Sequence, residues 1–276
     1  MNDSTNLLSL EGLVFEAIEI NLERHVLSIT LNRPEKRNAI NTVMGNEIAY
    51  ALSYASQESN VRVVIIQAKG EVFCAGGDLA SMSGQVEETV STVPKIGGFD
   101  SISLLIRNIN KPVICKIQGS VYAGALLMVS NATHAIAVNE AKFAAPEIKR
   151  GIWPFMVMAG LFRVMPKRQG LDFIMRGEAI DAMTAEKYGL ITQSVAKDEL
   201  DQTVNKLATD FANLPPKTMK MGLAAYNRQD AMAFDDALPY LKEQLAKCLQ
   251  AEDAKEGIAA FFEKREPKWK GGKNES

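Results

Sequence analysis

The stretch VVIIQAKGEVFCAGGDL, at residues 63–79, decides the fold class of this chain. It begins with four β-branched residues at 63–66, the pattern of a strand that is covered on both faces. It ends in Gly76 and Gly77, which carry no Cβ, so that the backbone can approach a ligand closely and point NH groups at it. A buried strand that leads into a glycine-rich turn predicts a layered α/β structure with a binding site beside the turn.

Similar signals recur on both sides of this stretch. Two β-like runs within 15–31 predict a hairpin, and an apolar stripe after Asn41 predicts a helix over 42–57. Further strands are expected at 112–117, 135–138 and 142–145, with a small-residue helix at 123–130. From about Asp198 onward the signals are helical. We therefore predict an α/β core over residues 1–200 and a helical region over residues 201–276, with no repeat of fixed sequence period.

Composition excludes several classes of protein. The chain has 276 residues, and its 31 basic and 33 acidic side chains give a formal net charge of -2, which does not suggest a nucleic-acid surface. Cys74, Cys115 and Cys248 are widely spaced, so they predict neither a zinc site nor a disulfide framework. No apolar run approaches the length of a membrane span, and the N-terminus does not resemble a signal peptide. We expect a cytoplasmic protein that binds no metal, membrane or nucleic acid.

Three stretches carry the chemistry when they are taken together. They are FCAGGDL at 73–79, QGSVYAGA at 118–125 and FAAPEI at 143–148. The first two place glycines directly after predicted strands, where two backbone amides can converge on one oxygen. Such a pair would stabilise the enolate that forms when a thioester loses its α-proton or accepts a nucleophile at its β-carbon. The third stretch contains Glu147, a carboxylate that can move the proton.

An ordered set of motifs resembles the crotonase family, also called the enoyl-CoA hydratase/isomerase family. The set is LNRP at 31–34 with Asn38 and Ala39, FCAGGDL at 73–79, Pro112-Val113 with Gly119, Pro146-Glu147, and EDAKEGIAAFFEKR at 252–265. The match covers roughly residues 15 to 270. It implies a spiral of repeated ββα units with a C-terminal helical trimerisation region, assembled as a homotrimer or a dimer of trimers.

The resemblance also implies roles for individual residues. The amides of Gly77 and Gly124 would form the oxyanion hole, and Glu147 would be the acid/base. The partner would be an acyl-CoA thioester, so that no separate cofactor is needed because coenzyme A is part of the substrate. Residues expected along the coenzyme A moiety are Lys36, Arg37, Ala39, Ala75, Gly77, Asp78, Leu79 and Ala80. Cys74 lies beside this site, but without an evident base it is expected to be a buried and inert thiol.

One departure from the family pattern leaves the reaction open. Family hydratases carry a second glutamate three residues after the second oxyanion glycine, and that position is Leu127 here. A single carboxylate suits 3-enoyl to 2-enoyl isomerisation better than hydration. A 2-enoyl-CoA hydratase of fatty-acid or branched acyl-CoA breakdown remains the alternative, with Glu87 or Glu88 on the looser stretch 83–98 as a second acid.

Two further points concern specificity and class. Bulky apolar residues at 151–158 replace the glycine-rich turn of typical hydratases, and they suggest an apolar acyl pocket that involves Trp153 or Phe155. A weakly catalytic module that binds coenzyme A or RNA is the alternative from another class. The charge pattern does not favour the RNA version.

Overall fold

The computed structural model describes residues 8–84 and 88–269. The strands are β1 (Ile18–Glu23), β2 (Val26–Leu31), β3 (Val63–Ala68), β4 (Val72–Cys74), β5 (Val113–Ile117), β6 (Ser120–Tyr122), β7 (His134–Val138), β8 (Lys142–Ala144), β9 (Ile180–Asp181) and β10 (Gln193–Val195). They form two sheets, a larger one with the strand order β1-β2-β3-β5-β7-β10 and a smaller one with the order β4-β6-β8-β9.

Helices cover both sheets and form the C-terminal region. The α-helices are α1 (Thr42–Gln57), α2 (Leu79–Met82), α3 (Ile102–Asn108), α4 (Leu126–Asn131), α5 (Phe155–Val164), α6 (Lys167–Arg176), α7 (Ala182–Lys187), α8 (Leu200–Ala212), α9 (Pro216–Gln229), α10 (Phe234–Gln250) and α11 (Glu252–Glu263). The 3-10 helices are Pro34–Lys36, Phe99–Ser101, Ala123–Ala125 and Pro146–Arg150.

The apolar run at 63–66 lies inside the larger sheet, as its pattern predicts. β3 pairs in parallel with β2 on one side and with β5 on the other, and its first four residues are buried. β1 and β2 form the expected antiparallel hairpin, although β1 begins at Ile18 rather than at Phe15. Asn41 caps α1, because its side chain accepts a hydrogen bond from the Met44 NH at 2.9 Å.

Consecutive strands alternate between the two sheets. In each of the pairs β3/β4, β5/β6 and β7/β8, the first strand joins the larger sheet and the second joins the smaller one. A helical segment follows each second strand. This is the spiral of ββα units that the resemblance implies. Gly119 permits the close packing of neighbouring units, because a Cβ at this position would lie 1.9 Å from the Glu71 carbonyl oxygen.

The helical C-terminal region is joined to the core through α8. This helix buries four residues at helical spacing in the same core as the larger sheet, namely Leu200, Val204, Ala208 and Ala212. The later helices α9 to α11 bury fewer side chains. No helix in the described ranges 8–84 and 88–269 combines the length and the apolar composition needed to cross a membrane.

Candidate active site

Two glycine turns, at the ends of the neighbouring strands β4 and β6, meet backbone to backbone. Gly76 has a φ of +95°, a left-handed conformation that favours glycine. A Cβ on Gly76 would lie 3.0 Å from the Gly124 nitrogen and 3.0 Å from the Tyr122 carbonyl oxygen. A side chain at position 76 would therefore push the two turns apart.

The NH group of Gly77 faces away from the segment that holds its turn. Gly77 forms a parallel bridge with Ile40, in which the Ile40 NH donates to the Gly76 carbonyl at 2.8 Å and the Asp78 NH donates to the Ile40 carbonyl at 2.9 Å. In a parallel bridge of this kind the middle residue directs its own NH to the opposite side. Within the described residues nothing accepts a hydrogen bond from the Gly77 NH.

The NH group of Gly124 belongs to the first turn of a helix. Gly124 lies in the 3-10 helix Ala123–Ala125, which continues directly into α4. The first NH groups of a helix have no partner within it. Ala123, the residue before Gly124, has a φ of +52°, which is an uncommon conformation for alanine and turns the chain sharply at this point. Both glycine amides therefore belong to adjacent turns and are not used by the secondary structure around them.

Asp78 stabilises its turn rather than standing free as an acid. One of its oxygens accepts hydrogen bonds from the backbone NH groups of Ala80 and Ser81, and the other lies 3.2 Å from Arg33. Burial acts to raise the pKa of Asp78, but the Arg33 guanidinium and the two NH groups outweigh it, so the pKa is lowered. Arg33 also donates to the Ala39 carbonyl at 2.7 Å and thereby joins the 36–39 loop to the 77–80 turn.

Asn38 organises the same loop, a role that the sequence analysis did not assign. Its side chain is fully buried, accepts a hydrogen bond from the Arg33 NH at 2.9 Å, and donates to the carbonyls of Lys69 and Val72 at 2.8 and 2.9 Å. Its φ of 53° is left-handed, which asparagine tolerates better than most residues. One sequence signal pointed to this role. Asn38 belongs to the motif that begins with LNRP at 31–34, and a polar side chain that is buried needs hydrogen-bond partners.

Glu147 lies in the 3-10 helix Pro146–Arg150, which follows β8 of the smaller sheet. Its Oε2 atom is buried and has no hydrogen-bond partner among the described residues. Burial raises the pKa of Glu147, and its own backbone NH and the charge of Arg150 oppose this effect without cancelling it. A half-buried carboxylate with a raised pKa beside a cleft has the properties of an acid/base.

A cleft of about 700 Å³ brings together the predicted site residues except Gly124, which does not line it. Glu147 lines it, as do all the residues expected along coenzyme A, which are Lys36, Arg37, Ala39, Ala75, Gly77, Asp78, Leu79 and Ala80. On the Gly124 turn, the neighbouring residues Tyr122 and Ala123 line the cleft. The cleft also contains Lys149, Arg150 and Glu178, which the sequence analysis did not single out, and Lys149 lies 2.7 Å from Glu178.

Apolar side chains contact both glycines of the predicted oxyanion hole. A Cβ on Gly124 would lie 2.3 Å from Cζ of Phe99, so the Phe99 ring is in contact with this glycine. A Cβ on Gly77 would lie 3.1 Å from Sδ of Met82. Leu127 is only 3% exposed and belongs to the hydrophobic core. The position of the second hydratase glutamate is thus occupied by a buried apolar side chain.

Of the two predicted loop acids, the structure describes only Glu88, and the cleft is lined without it. Glu88 is exposed, and Glu87 lies outside the described residues. The stretch after Glu88 is hydrogen bonded to other parts of the fold. Oε2 of Glu16 accepts from the Thr89 hydroxyl and the Val90 NH, and the Asn46 side chain bonds to backbone groups between 93 and 97.

The segment at 151–158 contributes less to the cleft than the sequence suggests. Ile152 lines the cleft, whereas Phe155 is 70% exposed. Trp153 packs against the hydrophobic core, and its indole NH lies 3.2 Å from Sδ of Met158. Cys74 is buried, as expected, and burial raises the pKa of its thiol to about 12. In the described part of the chain, no group of His, Cys, Asp and Glu side chains could hold a metal ion.

Comparisons with known proteins agree on one family. A family model described as enoyl-CoA hydratase/isomerase matches residues 21–273. The mevalonyl-coenzyme A hydratase of Aspergillus fumigatus is 31% identical over 90% of this chain and 93% of its own length. A probable enoyl-CoA hydratase of Mycobacterium bovis is 28% identical over 93% of this chain and 99% of its own.

Solved structures lead to the same family. The enoyl-CoA hydratase of Mycobacterium smegmatis superimposes with a TM-score of 0.83 at 26% identity, over 92% of this chain and 99% of that one. The enoyl-CoA hydratase of Bacillus anthracis superimposes with a TM-score of 0.84 at 26% identity, over 93% and 100% of the two chains. The similarity therefore spans the core and the C-terminal helices.

Proposed function

Because the chain belongs to the enoyl-CoA hydratase/isomerase family, we propose that it converts a 3-enoyl-CoA to a 2-enoyl-CoA, with Glu147 as its single acid/base. In this reaction the Glu147 carboxylate removes a proton from C2 of the substrate. The electron pair of that C–H bond moves into the thioester, giving a dienolate. Glu147 then returns the proton to C4, and the double bond forms between C2 and C3.

The state of the carboxylates in the cleft supports this proposal most strongly. Asp78 is paired with Arg33, and Glu178 is paired with Lys149. Glu147 instead has a buried oxygen without a partner in the described residues and a raised pKa. One available carboxylate is sufficient for moving a proton between two carbons, whereas the addition of water is easier with two.

The two glycine turns would supply the electrostatic part of catalysis. In this proposal the NH groups of Gly77 and Gly124 donate to the thioester oxygen, on which negative charge develops as the dienolate forms. Removal of one such donor typically costs about 2.7 to 4 kcal/mol of transition-state stabilisation. The two turns pack closely at Gly76, where a Cβ would lie 3.0 Å from the Gly124 nitrogen, so in this proposal little reorganisation accompanies the reaction.

The cleft would hold the coenzyme A moiety between the 36–39 loop and the 77–80 turn. Lys36 and Arg37 provide positive charge for its phosphates. The Arg33 side chain, through Ala39 and Asp78, keeps the two walls together. No further cofactor is required by this scheme, because the thioester of coenzyme A is itself the activating group.

A 2-enoyl-CoA hydratase is the second candidate, and the names of the relatives favour it. Both relatives and both solved structures described above are called hydratases. For this reaction Glu147 would deprotonate a water that adds to C3, and a proton would be delivered to C2. With Leu127 in the core, the described residues of the cleft offer no second unpaired carboxylate for the delivery.

Ultraviolet absorbance of the conjugated thioester distinguishes these reactions. With the purified protein and a 3-enoyl-CoA, we expect absorbance to rise as the double bond becomes conjugated. With a 2-enoyl-CoA, we expect at most a slow loss of absorbance through hydration. If the protein rapidly hydrates the 2-enoyl-CoA but does not conjugate the 3-enoyl-CoA, it is a hydratase and the proposed isomerase activity is wrong. If neither substrate reacts although both bind, the weakly catalytic coenzyme A module is the correct class.

We propose a homotrimer or a dimer of trimers, and the C-terminal helices support it. On α10, four exposed apolar residues recur at intervals of four, seven and four, so they share one face of the helix; they are Phe234, Leu238, Leu245 and Leu249. On α11, Ile258, Phe261 and Phe262 are also exposed. Exposed apolar surface of this extent is typical of an association site.

The double substitution Leu245→Lys with Leu249→Lys tests this assembly. We expect light scattering to give three or six times the chain mass for the unmodified protein and a smaller species for the variant, because two charges would be buried in the interface. Gln250→Lys, next to the same face, is the control and should leave the mass unchanged. A monomeric unmodified protein would contradict the proposed assembly.

A further inference from the structure

Arg150 shares a helix face with the proposed catalytic carboxylate. Glu147 and Arg150 are three residues apart in the 3-10 helix Pro146–Arg150. A 3-10 helix has three residues per turn, so side chains at positions i and i+3 lie above one another on the same face. Both residues line the cleft. The fold therefore places Arg150 one turn along the helix from Glu147, and both residues face the same cleft.

The surroundings of Glu147 make a nearby positive charge important. The carboxylate is half buried, and its Oε2 has no hydrogen-bond partner in the described part of the chain. Burial favours the protonated form, which cannot accept a proton from the substrate. The Glu147 backbone NH and the Arg150 charge act in the other direction and limit the rise of the pKa.

The other charged groups around this face are engaged or lie on another wall. Lys149 lies 2.7 Å from Glu178, and Arg176 on the adjacent helix α6 lies 2.7 Å from Asp172. The remaining charged groups of the cleft are Lys36 and Arg37 on the opposite loop and Asp78, which is paired with Arg33. In the ranges 8–84 and 88–269, no acidic side chain forms an ion pair with Arg150. Its charge can therefore act on Glu147.

We propose that Arg150 is a positioning residue, which holds the Glu147 carboxylate in its charged, proton-accepting form within a desolvated site. It touches neither the thioester nor the reacting carbons in this scheme, and it acts through Glu147 alone. The inference rests on the proposed function of Glu147 as the base. It adds a reason why a single half-buried carboxylate can work as a base near neutral pH.

The pH profile of Arg150→Gln tests the proposal. A base is lost as the pH falls through its pKa, and removal of the guanidinium raises that pKa. The acid limb of both kcat and kcat/KM should therefore move to higher pH. We expect kcat on the acid limb to fall by about threefold relative to the unmodified enzyme, with less than about a twofold change on the plateau above that limb. Arg150→Lys, which keeps the charge, should restore most of the original profile.

A matched control is available at the next residue. Lys149→Gln removes a neighbouring cation of the same cleft, but one that is paired with Glu178. The acid limb of the pH profile of Lys149→Gln should lie at the same pH as that of the unmodified enzyme. If Arg150 merely binds substrate phosphates, Arg150→Gln will raise KM at every pH and leave the acid limb of kcat in place. That result would overturn the proposal.

Direct titration of Glu147 separates this inference from the proposed function. Carbon NMR of the glutamate-labelled, substrate-free enzyme follows the carboxyl signal, which is assigned by its loss in Glu147→Gln. The midpoint should be higher in Arg150→Gln than in the unmodified enzyme or in Lys149→Gln. An unmoved midpoint refutes the role of Arg150 whatever the activity. A moved midpoint combined with an active Glu147→Gln enzyme supports the role of Arg150 and refutes Glu147 as the base.

Discussion

Glu147→Gln is expected to lower kcat by about 10²- to 10⁴-fold, whether the enzyme isomerises or hydrates its substrate. Glutamine has nearly the same shape as glutamate, but its amide accepts no proton at neutral pH. Because the Glu147 Oε2 makes no hydrogen bond within the described residues, the substitution breaks no known contact of that atom. The loss should therefore appear in turnover, and calorimetry should show coenzyme A esters binding with little change in affinity.

Glu178→Gln is the control for this experiment, because it neutralises another carboxylate of the same cleft. Glu178 is exposed, and its hydrogen bond with Lys149 lowers its pKa, whereas burial raises the pKa of Glu147. The activity of the Glu178→Gln variant should stay within about tenfold of that of the unmodified enzyme. If Glu147→Gln retains more than a tenth of the activity, or if Glu178→Gln loses more than Glu147→Gln, the assignment of the base is wrong.

Gly124→Ala is the second substitution with a large expected effect, a loss of about 10²- to 10³-fold in kcat. Alanine keeps the backbone NH, but its Cβ would lie 2.3 Å from Cζ of Phe99. Either the ring or the turn must move, and movement of the turn withdraws the NH from the thioester oxygen. Catalysis should fall while thermal unfolding shows the fold retained.

Phe99→Ala gives this prediction its sharpest test. With the ring removed, the alanine methyl group at position 124 has space, so the loss due to Gly124→Ala should be much smaller in the Phe99→Ala background. This non-additivity is the signature of two residues in contact. A Cβ on Gly222, in α9, would meet no atom within 4 Å, so Gly222→Ala should not reduce kcat. Equal losses from Gly124→Ala in both backgrounds would contradict the steric explanation.

Several features of the fold could be predicted from sequence because they depend on local pattern. The β-branched run at 63–66 indicated a strand inside a parallel sheet, and Asn41 followed by an apolar stripe predicted the bounds of α1. These signals arise from side-chain burial at periods of about 2 and 3.6 residues, which neighbouring residues alone can show. The family motifs similarly placed Glu147 and the residues along coenzyme A at one site, and in the structure they line one cleft.

Short strands could not be predicted, because they exist only through pairing. β6 has three residues, and its sequence pattern predicts no strand, whereas in the structure it joins β4 to β8. β9 and β10 have two and three residues, too few to show a period. Their hydrogen bonds go to residues distant in sequence. The smaller sheet, which brings the two glycine turns together, is therefore mostly a tertiary feature.

The reaction, the assembly and the cytoplasmic location stay predictions. The sequence by itself determined the family, the α/β class and the presence of a single glutamate in the Pro-Glu motif, because each depends on which residues occur and in what order. Only the tertiary structure decided the condition of that glutamate. Its half-burial, the lack of a hydrogen-bond partner for its Oε2 among the described residues, and the presence of Arg150 on the same helix face depend on packing and on charges in space. The strength of a base depends on those surroundings as well as on its chemical type.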